Sequence, residues 1–167
     1  KAMCGELTVT CEGDLLTMNA PRWVPKAIPV SKELEEALGV KIIECGQTRD
    51  TIALVENADI VRNMKPSMEK LLKLDDVKGV IVTAKGMDSD FVCRVFAPAF
   101  GIDEDPVTGS AHSTLIPYWA EKLGKTKLVS HQISKRGGVL KCKDIEEDGR
   151  VEMSGKGVCY LIGELQL

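Results

Sequence analysis

The chain has 167 residues, 44% hydrophobic and 28% charged, with a formal net charge of −3, an ordinary globular composition that can bury one sizeable core. Its lysines and arginines are scattered, which removes the electrostatic footprint of a nucleic-acid or acidic-membrane binder. No apolar run approaches the roughly 20 residues that span a bilayer, and no export signal opens the chain, so a cytoplasmic protein is expected.

In chain order, residues 6–12 and 15–20 alternate apolar and polar positions around Gly13 and Asp14, the pattern of a tight β-hairpin. The start, Lys1-Ala2-Met3, runs straight into this pattern without an initiator methionine, so a chain cut from a longer one is expected. A proline-marked loop spans 21–29. Ser31 then caps a short helix to Leu38, ended by Gly39. Residues 40–45 and 51–55 are rich in β-branched positions and read as a strand pair. Two short helices, 58–64 and 67–74, are separated by Pro66. Strands resume at 79–84 and 91–96.

The longest helix signal covers 106–123, with Thr108 to Leu123 forming one helix. Leu115, Ile116, Trp119 and Leu123 lie at helical spacing, and Ala111 and Ala120 widen the stripe. Such a helix is apolar or small on nearly every face and should be enclosed on nearly every face, with Pro117 kinking it or loosening one turn. Four further strands, 127–134, 138–143, 150–154 and 158–164, are divided by glycine-bearing turns. Strands thus flank the helix in sequence. The expected class is α+β: a barrel-like, mostly antiparallel sheet wrapped around one central helix.

The segment Glu104-Asp105-Pro106-Val107-Thr108-Gly109-Ser110-Ala111-His112 carries the main chemical signal. Asp105 before Pro106 reads structurally as a helix cap followed by proline at the first helical position. It also reads as a proton acceptor or substrate anchor, because Thr108, Gly109 and Ser110 would present backbone N–H groups at the positive end of a helix dipole. That arrangement attracts a carboxylate or phosphate. Gly109 leaves room for close approach and Ser110 adds a hydroxyl donor.

The two histidines, His112 and His131, are too few for a multi-histidine metal site. His112 reads as a neutral core or rim imidazole. Arg136-Gly137-Gly138 is either a tight turn or an arginine and flexible backbone at the cleft. The six cysteines, Cys4, Cys11, Cys45, Cys93, Cys142 and Cys159, are widely separated and read as free thiols. No serine-hydrolase elbow, Walker A or dinucleotide-binding glycine pattern is present.

From Arg94-Val95-Phe96-Ala97-Pro98 through 104–112, and on through Leu115-Ile116-Pro117-Tyr118-Trp119, residues 132–138 and Ser154-Gly155, the chain resembles the phenazine-biosynthesis PhzF-like isomerase family. That family has the diaminopimelate epimerase fold. The resemblance implies the second, C-terminal lobe of a two-lobed isomerase, with the N-terminal lobe and its proton-shuttling glutamate outside this chain. It implies proton transfer on a small carboxylate substrate without metal or organic cofactor, Asp105 as the acid/base or substrate-binding group, and Gly109 and Ser110 on the carboxylate. It leaves a homodimer open. Alone, the chain is expected to have little isomerase activity. The rival expectation is a non-catalytic carboxylate-binding or interaction domain that kept the fold.

Overall fold

The structure is a computed structural model and describes residues 5–158, 161, 163 and 164. The hairpin is β1 (Thr8–Glu12) and β2 (Leu15–Pro21), paired from Thr8↔Asn19 to Glu12↔Leu15. A short strand, β3 (Lys26–Ile28), lies within the expected proline loop. Next comes α1 (Lys32–Leu38). The Ser31 hydroxyl accepts from Leu34 N at its start, and Gly39 closes it in the left-handed conformation at φ 69°.

The following strand, β4 (Glu44–Gln47), begins four residues later than its apolar run suggests. Glu35 supplies the reason: its Oε1 accepts from Ile42 N at 2.9 Å, diverting that amide from the sheet ladder. Then come β5 (Thr51–Leu54), α2 (Ala58–Asn63), α3 (Met68–Leu71), β6 (Val80–Lys85) and β7 (Phe91–Ala97). The strand β8 (Ile102–Asp105) precedes α4 (Gly109–Leu123). The tail is β9 (Lys127–Gln132), β10 (Gly138–Ile145) and β11 (Arg150–Lys156). The expected strand over 158–164 lies largely outside the described residues, and its described positions are not in a strand.

One sheet holds all eleven strands, in the order β1-β2-β11-β10-β9-β7-β6-β5-β4-β3, with β8 on β7. Its neighbours pair antiparallel except β5 with β6 and β7 with β9. Both parallel pairs are joined by crossovers containing helices, as parallel connection requires. The sheet is α+β and curved about α4, but it does not close. The expected barrel is corrected here: among the described residues β1 pairs only with β2 and β3 only with β4. A packing demand on the other face explains this. Val80, Val82, Ala84, Val92 and Phe96 need cover there, and α1–α3 provide it through Leu38, Val61 and Leu71. The β5–β7 part is thus a layer between helices, and β6 is buried on both faces.

On the inner face, Ala111, Leu115, Ile116 and Trp119 of α4 pack against Phe91, Cys93, Leu128, Val151 and Met153. Trp119 stacks on Phe91 with ring centres 5.7 Å apart, and its indole N–H donates to Thr83 Oγ1 at 3.0 Å. Nine of the helix's residues are buried, so it is enclosed as its composition predicts. Pro117 sits within an unbroken helix. It has no N–H for the carbonyl of Ser113 one turn earlier, and that carbonyl instead accepts from Trp23 N at 2.9 Å. Trp23 belongs to the segment crossing from β2 to β3. Among the described cysteines Cys11, Cys45, Cys93 and Cys142 are free thiols, the last three buried. No helix among the described residues is long and apolar enough to cross a membrane.

Candidate active site at the start of helix α4

The site is built where β8 hands over to α4. Asp105 is the last residue of β8, opposite Val95. The helix begins at Gly109 with Thr108 as its N-cap. This corrects the capping reading: Asp105 ends a strand, and Pro106 lies in the connecting turn rather than at the first helical position. The strand wins because Val95 and Ala97 of β7 offer a pairing edge to Ile102–Asp105, while Arg94 holds Glu104 through two bonds of 2.7 and 2.9 Å.

Gln132, the last residue of β9 and 1% exposed, ties this turn together. Its Oε1 accepts from Thr108 N at 2.8 Å, and its Nε2 donates to Asp105 O at 2.6 Å and Thr108 Oγ1 at 3.1 Å. The amide orientation is fixed by its partners, since a backbone N–H only donates and a carbonyl only accepts. The Thr108 hydroxyl in turn donates to Asp105 Oδ2 at 2.7 Å. Thr108 therefore makes no side-chain cap on α4, and the first-turn N–H groups are without one. Oδ1 of Asp105 has no protein partner among the described residues.

The same turn is braced from the connection between β9 and β10. Ser134 Oγ donates to Pro106 O at 2.8 Å and accepts from Gly137 N at 3.1 Å. Gly137 takes φ 71°, and a Cβ on Gly138 would fall 2.5 Å from Val107 Cγ2. These glycines thus have the structural role of the two foreseen, a tight turn seated on the 105–108 segment. Arg136 is exposed.

His112, fully buried, has Nδ1 2.7 Å from Thr108 O and Nε2 2.8 Å from Ser130 Oγ. Because a carbonyl can only accept, Nδ1 carries the proton and Nε2 accepts from Ser130. Burial pushes the imidazole pKa down, which keeps the ring neutral. It is a core brace under the first turn.

Gly109 and Ser110 face a hollow of about 70 Å³ shared with Leu7, Met18, Trp23 and Ser113. A Cβ on Gly109 would meet nothing closer than Met153 Sδ at 3.6 Å, so the protein's own packing does not require glycine there. Ser110 Oγ accepts from Arg49 Nη2 at 3.0 Å. No local pattern marks Arg49, which lies in the turn between β4 and β5, or Gln132 as a clamp. A larger hollow, about 640 Å³, lies at the other end of α4 between Val24, Ile28, Ile43 and Tyr118. Three of its polar side chains are engaged with one another, since Glu44 accepts from Tyr118 at 3.0 Å and from Lys122 at 2.7 Å. Convergent polar groups facing an opening are thus found at the α4 start. Among the described residues no group of three or more His, Cys, Asp or Glu could hold a metal ion.

An uncharacterized isomerase of Pseudomonas aeruginosa is 43% identical over 164 residues, covering 98% of this chain and 62% of its own length. An uncharacterized isomerase of Halalkalibacterium halodurans is 40% identical with the same coverages. The crystal structure of a phenazine biosynthesis protein, PhzF family, from Enterococcus faecalis superposes with a TM-score of 0.89 at 41% identity, covering 96% of this chain and 61% of that one. The chain therefore spans about three fifths of the length of these relatives. With residues 17–163 also matching the family described as phenazine biosynthesis-like protein (PhzC-PhzF), the chain belongs to that family.

Proposed function

We propose that this chain is the C-terminal lobe of a cytoplasmic, cofactor-independent isomerase that moves a proton on a small carboxylate-bearing substrate. One observation carries the reading. A half-buried carboxylate, Asp105, is oriented by the Thr108 hydroxyl beside a helix start that has no side-chain cap, in a family with relatives named isomerases. A helix N-terminus favours an anion through its free N–H groups and its dipole. In this reading Gly109 and Ser110 hold the substrate carboxylate, Thr108 borders it while aiming Asp105, and Asp105 exchanges a proton or anchors a polar group. A proton shuttle needs a second acid/base group within hydrogen-bond reach. The remaining two fifths of the relatives' length is where we place it, so the chain alone has little activity.

The test follows deuterium from heavy water into a panel of small carboxylates with the full-length protein, read by mass spectrometry. Asp105→Asn can still accept from the Thr108 hydroxyl, so stability should stay within about 1 kcal/mol. Exchange should fall on the order of 100-fold, as for loss of a general acid/base. Normal exchange in a folded Asn variant would reduce Asp105 to a structural role. Binding without any exchange in the native protein would instead mark a carboxylate-binding domain.

A further inference from the structure

We infer that Arg49 is the fixed positive charge of this site and a positioning residue for Ser110, making the site select a carboxylate over its neutral isostere. This rests on the reading of the α4 start as the ligand site. Arg49 is held from several sides. Its Nη2 and Nε contact Asp50 Oδ2 and Oδ1 at 2.6 and 3.3 Å, and the Asp50 side chain is only 5% exposed. Gly79 makes room for that carboxylate, since a Cβ there would lie 2.7 Å from Asp50 Oδ1. The guanidinium carbon sits 5.9 Å from the ring centre of Trp23. Nη2 also donates to Ser110 Oγ at 3.0 Å.

Two features go beyond a structural ion pair. First, the pair with Asp50 would be complete without Ser110, yet the guanidinium extends to the N-terminal end of α4, where a cation is electrostatically disfavoured. An anion bound between the guanidinium and the first-turn N–H groups removes that conflict. Second, Arg49 is half exposed, and Nη1 has no protein partner among the described residues, so donors remain for a ligand. Ser110 Oγ accepts from Arg49, which directs its own O–H to donate elsewhere. The carboxylate thus meets two donors set by one arginine, beside a hollow lined by Trp23 and Met18.

Benzoate and benzamide probe this in the intact protein, because they share an apolar ring and differ in charge. Binding is followed through the Gly109 and Ser110 amide resonances. The native protein should prefer benzoate by about tenfold, the scale of one partly exposed charge-assisted hydrogen bond. Arg49→Gln should remove most of the preference, leaving the part that the helix start contributes, and should weaken benzamide less than benzoate. Should Arg49→Gln fold poorly, Arg49→Lys, which keeps the charge and loses the fork, should also reduce the preference. An undiminished benzoate preference in either variant, once folded, overturns the role of Arg49 and leaves the site reading standing. If benzoate moves neither resonance in the native protein, the site reading itself fails, and this inference with it.

Discussion

Replacing Gln132 with methionine tests whether one buried carboxamide sets the geometry of the candidate site. Methionine approximates glutamine in length and volume, so little cavity forms and the change is chiefly the loss of three hydrogen bonds, at 2.6, 2.8 and 3.1 Å. The Thr108 N–H is buried and loses its acceptor outright, which costs about 1–3 kcal/mol. Water can reach the half-buried Asp105 in part, so its carbonyl contributes nearer to 1 kcal/mol. The total is about 3 kcal/mol, and for a domain of this size it lowers Tm by roughly 6–12 °C. Urea unfolding followed by tryptophan fluorescence measures it. Gln132→Glu should be at least as damaging at neutral pH, because an oxygen then faces Asp105 O and Thr108 Oγ1 in place of a donor. A loss below about 1 kcal/mol in both variants would refute the clamp.

Two further outcomes follow from the same surroundings. Burial holds the His112 pKa below its ordinary value, so as pH falls below about 6.5 the unfolded chain takes up a proton that the native ring does not. Native stability relative to His112→Gln should therefore fall by up to about 1.4 kcal/mol per pH unit below that point and be independent of pH above it, as urea midpoints across pH 5–8 would show. A flat difference would mean that the native ring takes up its proton over the same pH range as the unfolded chain. Gly138→Ala should cost about 1–3 kcal/mol by driving a methyl into Val107, and Val107→Ala in the same chain should recover most of it. Additive losses in thermal melts would show that the two side chains do not collide.

Periodicity located α4 and its enclosure because a helix buried on most faces has an unmistakable composition, and Ser31 with Gly39 marked the ends of α1 for local reasons. What local signals could not convey was competition between distant partners. Glu35 captures the Ile42 amide and delays β4; Val95 and Ala97 recruit Ile102–Asp105 into a strand that a capping pattern disguises. The open sheet has the same origin, since the apolar outer face of β6 and β7 calls for the α1–α3 layer. At the site, Asp105, Gly109 and Ser110 are neighbours in sequence and were visible together. Arg49 lies 61 positions before Ser110 and Gln132 lies 24 after Thr108. Only the sheet brings them in.

The bond from Trp23 N to Ser113 O gives Pro117 an influence beyond its own turn. With any other residue at 117, an N–H would compete for that carbonyl, and the β2–β3 crossover would lose an exclusive anchor. The Trp23 segment, whose ring lies against Arg49 and borders the hollow beside Ser110, is thereby tethered to Ser113, one helical turn below Gly109 and Ser110. Sequence change at 117, or in the side chains packed around it, can thus shift the surroundings of Arg49 and Ser110 without altering either residue. The start of α4 is thus coupled, through one backbone bond, to a crossover that lies about 90 residues before it in sequence.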